Sequence, residues 1–149
     1  MEISVVLNGR PRRFNVEPDE YLADTLRNHH ITSVRRGCES STCGVCTVLV
    51  DDRPVLSCTL LSVRADGKRV TTVEGIEKEI AAISACFGAE GADQCGFCNP
   101  GIALTAYALK LEYGTPTDEE IRHYLVGNLC RCSGYEAQLK AIKRYLGVE

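Results

Sequence analysis

Gly37-Cys38-Glu39-Ser40-Ser41-Thr42-Cys43-Gly44-Val45-Cys46 sets three cysteines in one short loop, and Cys58 completes the spacing C-x4-C-x2-C-x11-C. Nine cysteines in 149 residues, about 6%, is high for a chain of otherwise ordinary composition. The opening residues, MEISVVLNGR, carry an acid at Glu2 and no long apolar core, so a secretory leader is not expected. Without export, a disulfide framework is the poorer reading, because the cytosol keeps thiols reduced. An odd total also fits complete pairing badly. Close-spaced cysteines in such a chain point to metal.

The first three cysteines match the plant-type ferredoxin spacing, in which one loop wraps a 2Fe–2S cluster and a distant cysteine completes it. Each iron needs two thiolates beyond the bridging sulfides. A loop also has free backbone N–H groups to offer the cluster sulfurs. Gly37 and Gly44 flank ligands, where a flexible φ lets the chain curl around an inorganic core. Structural zinc held by four cysteines is the alternative, but zinc favours two short knuckles, and a lone fourth cysteine matches it poorly. Arg35 and Arg36 precede the loop. They are either a solvated face or a positive charge that raises the cluster's potential.

Outward from the loop, the first half reads as a small mixed sheet. Ile3–Leu7 is strand-like, Asn8-Gly9 is a hairpin signal, and Arg13–Val16 returns antiparallel. Tyr21–Asn28 has helical spacing, and Thr47–Val50, Val55–Cys58 and Arg69–Val73 supply further strands around an Asp51-Asp52 turn. These strands resemble the β-grasp fold of plant-type ferredoxins. After Gly75 the pattern is helical: Ile76–Phe87, Ile102–Glu112 opened by Asn99-Pro100-Gly101, Asp118 to about Val126, and Glu136–Leu146. Thr117 with Glu120 forms a capping-box signature. The expected fold class is α+β, with a ferredoxin-like domain over residues 1–75 and a four-helix-bundle domain over residues 76–149.

The helical half carries Cys95-Gly96-Phe97-Cys98 and Cys130-Arg131-Cys132, spaced C-x2-C-x31-C-x-C. Both pairs precede expected helices, whose N-termini present unpaired N–H groups and partial positive charge suited to thiolates. The wording around them adds more than the spacing. Gln94-Cys95-Gly96-Phe97-Cys98-Asn99-Pro100-Gly101 and Gly127-Asn128-Leu129-Cys130-Arg131-Cys132-Ser133-Gly134-Tyr135 resemble the QCGFCTPG and GNLCRCTGY motifs of the iron–sulfur subunits of xanthine oxidase-type molybdenum hydroxylases. Gly37-Cys38 and Cys43–Leu49 are similar to the same family's GCxxGxCGACTVL loop. The similarity runs over nearly the whole chain. Ser41, Asn99 and Ser133 depart from the usual glycine, threonine and threonine, and none of these changes removes a ligand. Ser41 is expected either to strain the loop or to alter the hydrogen bonding to sulfur. The segment from Gly75 to Gln94 is rather short for the family.

The resemblance implies two 2Fe–2S clusters. Cys95, Cys98, Cys130 and Cys132 would hold the one near the molybdenum–pterin cofactor, and Cys38, Cys43, Cys46 and Cys58 the one near FAD. Gln94 matches a glutamine that hydrogen-bonds the pterin across an interface. Implied partners are a molybdenum-binding large subunit and an FAD-binding medium subunit, with a dimer of heterotrimers as one assembly. The sequence ends with no flavin or molybdenum domain attached, which fits a separate, non-catalytic electron-transfer subunit in the cytoplasm. Hydroxylation of a heterocycle or aldehyde carbon, oxidation of carbon monoxide, or the reductive variant on an aromatic thioester are the chemistries the family allows.

Other classes are less well supported. The net charge of −3 and the lack of aromatic–basic interleaving argue against nucleic acid. No apolar run is long enough to span a membrane. G-x-G-x-x-G and Walker A fingerprints are absent, so FAD, NAD or nucleotide binding by this chain alone is not expected. Cys86 lacks a partner at ligand spacing and reads as a buried small hydrophobe. His29, His30 and His123 read as surface or capping residues. A free ferredoxin-like carrier and a zinc-stabilised interaction module are the competing functions. Co-purification and metal content discriminate them.

Overall fold

The computed structural model describes residues 1–148. Five strands form one mixed sheet: β1 Glu2–Leu7, β2 Arg10–Asn15, β3 Thr47–Val50, β4 Arg53–Leu56 and β5 Arg69–Thr71, in the order β2-β1-β5-β3-β4. β1 and β5 are parallel, and the other neighbours antiparallel. Helix α1, Leu22–Asn28, lies on one face and buries Leu22, Ala23 and Leu26 with Ile3, Val5, Phe14, Val48 and Val70. The hairpin signals act as read. Asn8 and Gly9 both take positive φ, 51° and 78°, and so do Asp51 and Asp52, 51° and 67°, which gives each ribbon the twist a two-residue turn requires. Pro11 and Pro54 sit on the two edge strands, where a missing N–H is tolerated.

Those turns move the expected strand boundaries. A two-residue turn pairs Leu7 with Arg10 and Val50 with Arg53. β2 therefore starts three residues earlier than expected, and β4 ends at Leu56 rather than including Cys58. The Ser57 hydroxyl then donates to the Cys46 carbonyl at 2.6 Å, turning the chain out of the sheet. β5 stops at Thr71 because Asn8 Oδ1 takes the Thr72 N–H at 2.8 Å and begins a short 3-10 turn, Val73–Gly75.

Four helices follow: α2 Glu77–Ala89, α3 Asn99–Tyr113, α4 Asp118–Tyr124 and α5 Glu136–Leu146. The Thr117–Glu120 capping box is formed in both directions, and Gly147 closes α5 at φ 70°. α3 is the central helix, with Gly101, Ile102, Ala103, Leu104, Thr105, Ala106, Ala108 and Leu109 all buried. Its small residues admit close neighbours. Strand β3 is buried on both faces: Val48 and Val50 point into the sheet core, while Leu49 packs on Leu104 and Ala108 of α3. The alternation of a strand thus joins the two halves. Among the described residues no helix is long and apolar enough to cross a membrane.

Candidate iron–sulfur centres

The first cysteine loop belongs to both cores: Cys46 packs with the sheet, Cys43 and Val45 with the helices. It leaves the sheet region after Val34 and re-enters at β3. Ser41 holds φ 60°, the left-handed conformation that a usual glycine adopts without cost. The loop's N–H groups converge on sulfur. Cys38 is pulled down to about 6 by the N–H groups of Cys43 and Thr42, the neighbouring Cys43 thiol and the Ser40 N–H. Burial raises Cys43, and burial together with the adjacent Cys58 thiol pushes Cys46 up to about 11. The four thiols therefore stand as two neighbouring pairs, Cys38 with Cys43 and Cys46 with Cys58.

The second group is assembled from two distant segments. Cys98 caps α3, while Cys130 and Cys132 lie in the loop ahead of α5, where Gly134 and Tyr135 both take positive φ. Both pairs precede helices as expected, with a left-handed turn between the second pair and α5. The pairs interleave. Cys132 and Cys95 sulfurs are 3.5 Å apart, and Cys98 neighbours Cys130. The Cys98–Cys130 pair is buried and the Cys95–Cys132 pair exposed.

Side chains serve these sulfurs. Buried Gln138 donates from Nε2 to Cys98 Sγ at 3.7 Å, and the Ser133 hydroxyl to Cys130 Sγ at 3.2 Å. Burial pushes the Cys130 thiol up, but the Ser133 hydroxyl and N–H, with the Cys132 N–H, outweigh it and bring it down to about 7. Cys98 goes up to about 11, chiefly by burial and then by the Cys130 thiol beside it. The Phe97 N–H lowers Cys95. Tyr135 holds the loop through its hydroxyl, which accepts the Cys130 N–H at 2.9 Å. Gln94 donates to the Cys132 carbonyl at 3.2 Å on the exposed side.

This donor set fits a two-iron cluster. For metal–sulfur bonds of about 2.3 Å, two thiolates on one tetrahedral ion lie roughly 3.8 Å apart, close to the Cys95–Cys132 separation of 3.5 Å. Among the described residues no three His, Cys, Asp or Glu side chains gather around a single ion-sized point. Thiols standing as two adjacent pairs match two metal ions side by side better than one tetrahedral ion.

The two loops touch. The Leu129 N–H donates to the Cys43 carbonyl at 2.8 Å, and Asn128 Nδ2 to the Gly44 carbonyl at 3.3 Å. Gly44 has φ 73°, and a Cβ there would stand 2.1 Å from the Gly127 carbonyl oxygen. Glycine is required by the approach of the second loop as well as by φ. Gly101 is likewise tight, since a Cβ would meet the Gly44 oxygen at 2.6 Å.

Gln138 and Asn128 escaped sequence reasoning, as did the reach of Arg35 into the second loop. Asn128 and Tyr135 do lie inside quoted motifs, a signal that was available. Arg36 instead pairs with Asp24 at 2.9 Å on its own half. Cys86 is half-buried against the helical core, less enclosed than expected because α2 presents it beside its buried face. His29 and His123 are exposed. His29 follows the last residue of α1, with its ring 2.8 Å from the Thr25 carbonyl.

Comparison with known proteins agrees with this geometry. Residues 5–74 match the family described as a 2Fe-2S iron-sulfur cluster binding domain, and residues 72–143 match a [2Fe-2S] binding domain. The nicotinate dehydrogenase small FeS subunit of Eubacterium barkeri is 42% identical over 146 residues, covering 96% of this chain and 92% of that protein. The xanthine dehydrogenase iron-sulfur-binding subunit of Escherichia coli O157:H7 is 41% identical over 138 residues, with 90% and 87% covered. The crystal structure of quinoline 2-oxidoreductase from Pseudomonas putida 86 contains a chain that superposes with a TM-score of 0.89 at 41% identity, covering 98% of this chain and 93% of that one. With the motifs, the mixed sheet followed by four helices and these relatives in agreement, the chain belongs to the iron–sulfur subunits of the xanthine dehydrogenase-type molybdenum hydroxylases, the electron-transfer subunits of those enzymes.

Proposed function

We propose that this chain carries two 2Fe–2S clusters and passes electrons between a molybdenum–pterin large subunit and an FAD medium subunit. Cys38, Cys43, Cys46 and Cys58 hold one cluster in a domain of residues 1–75. Cys95, Cys98, Cys130 and Cys132 hold the other in a domain of residues 76–149. Each cluster, when bound, supplies a one-electron couple. The chain's own work is to hold electron-rich thiolates apart from water on one side and within reach of a partner on the other: N–H groups, the Ser133 hydroxyl and the Gln138 amide stabilise negative sulfur.

One observation carries the reading: the Leu129 N–H to Cys43 carbonyl bond of 2.8 Å connects a residue beside one ligand directly to a ligand of the other group. The helical half and Gln94 weigh against a lone carrier, which needs no pterin contact. The direction outward is supported by the exposed Cys95–Cys132 edge, bordered by Gln94 and by apolar Phe97, 45% exposed, and Leu129, 48% exposed. Gln94 is proposed as the contact to the pterin across that edge. Unbridged cysteines suit a cytoplasmic setting, and a dimer of heterotrimers is the proposed assembly. The test is purification of the native complex under anaerobic conditions. Co-purifying partner chains with molybdenum and flavin support the reading. A solitary chain that carries its iron without partners overturns it in favour of a free carrier.

A further inference from the structure

Arg35 stands three residues before Cys38, yet its guanidinium lies against the loop of the second group. Nη1 donates to the Gly96 carbonyl at 2.6 Å and to the Phe97 carbonyl at 2.9 Å. The guanidinium carbon is 5.4 Å from the centre of the Phe97 ring, within range of a cation–π contact. Both carbonyls belong to the segment between Cys95 and Cys98.

A trans peptide directs its C=O and N–H to opposite sides. A Gly96 carbonyl held by Arg35 therefore turns the Phe97 N–H away from the arginine, and that N–H is hydrogen-bonded to the Cys95 sulfur. A cation on the oxygen of a peptide polarises it and strengthens the hydrogen bond its N–H donates. N–H groups directed at sulfur favour the more negative, reduced form of a cluster and raise its potential. The arginine charge is permanent across the working pH range.

We propose that Arg35 is a positioning residue through which the N-terminal half raises the reduction potential of the cluster held by Cys95, Cys98, Cys130 and Cys132, by fixing and polarising the Gly96–Phe97 peptide. The inference rests on the cluster reading given above and deepens it: the half that holds one centre tunes the other. Arg36, adjacent and of equal charge, is the internal control, since it is exposed and engaged with Asp24 at 2.9 Å.

The experiment is a mediated redox titration of the intact complex followed by low-temperature electron paramagnetic resonance. The signal of the second group is assigned as the one that C132S, a substitution at one of its own thiols, changes in shape or position. R35Q is expected to load iron fully and to lower the potential of the second group by an amount equal to about a tenfold change in its reduction equilibrium, ~59 mV for one electron. The first group's potential stays put. R35K is expected to load and to shift the same signal in the same direction by less, because a single ammonium keeps the charge without the planar fork. R36Q is expected to move neither. An R35Q complex with full iron and both potentials unmoved, or with both moved equally, overturns the inference. Should R35Q fail to load, R35K decides: a downward shift confined to the second group supports the inference, and an unchanged potential reduces Arg35 to a clamp between the halves. Wild-type complex lacking iron and sulfide would instead defeat the underlying cluster reading, an outcome told apart by the metal content alone.

Discussion

The two thiol groups are built by different means. The first is almost wholly a backbone device: three of its cysteines share one loop, and the N–H groups of Cys43, Thr42 and Ser40 do most of the work at Cys38. The second is assembled across the chain from two segments, and side chains complete it, with Gln138 at Cys98, Ser133 at Cys130 and Tyr135 bracing the loop. A backbone site tolerates most side-chain changes provided φ is respected. A side-chain site is exposed to single substitutions. The comparison also separates a group with Cys43 and Cys46 buried at the junction of two cores and Cys38 and Cys58 half-buried from one that keeps an exposed outer pair, Cys95 and Cys132.

The largest expected effect falls where the two regions meet. Gly44→Ala places a methyl 2.1 Å from the Gly127 carbonyl oxygen at φ 73°, and either the loops part or the junction unfolds. A loss of about 3–5 kcal/mol is expected in chemical denaturation, with both centres disturbed; a variant as stable as wild type would show that the loops are not held together there. Next comes ligand removal. Cys98→Ala is expected to take iron from about four to about two per chain and to erase one paramagnetic signal. If the two regions load independently, the first signal survives unchanged. Loss of both would make the second group a prerequisite for the first.

Gln138→Leu sharpens the contrast more gently. It deletes the amide at 3.7 Å from Cys98 Sγ while keeping a buried side chain of similar size. About 0.5–1.5 kcal/mol of stability should go, and the second potential should fall with the first unmoved. Equal shifts in both would dissolve the distinction between the sites. The smallest effect is expected at Ser41, whose φ of 60° costs the chain strain. Ser41→Gly should stabilise by about 0.5 kcal/mol once glycine's greater freedom in the unfolded chain is set against the relief. A clear loss would mean that the Ser41 hydroxyl, 3.8 Å from Cys58 Sγ, contributes more than the backbone suffers.

Much of this architecture was legible in residues. Cysteine spacing pointed to the first group and motif wording to the second, the Thr117–Glu120 cap located α4, and Asn8-Gly9 located the first hairpin. Strand limits shifted by two or three residues because turn length, which periodicity does not report, fixes register. What sequence could not show is anything that depends on two segments meeting. The pairing of Cys95 with Cys132 and of Cys98 with Cys130, the outward face of Leu49, and the reach of Arg35 to Gly96 all span long separations. Gln138 is hidden for the same reason: a glutamine on an amphipathic helix looks solvent-bound until the fold sets α5 beside Cys98.

The central claim is that eight cysteines hold two distinct two-iron centres in one chain. The most direct measurement is stepwise reduction of the anaerobically purified complex, with spin quantified at low temperature and iron and acid-labile sulfide assayed on the same sample. The account predicts about four irons and four sulfides per chain and two separable signals, each reaching about one spin per chain. Zinc in place of iron, or a single signal that never exceeds one spin, would contradict it.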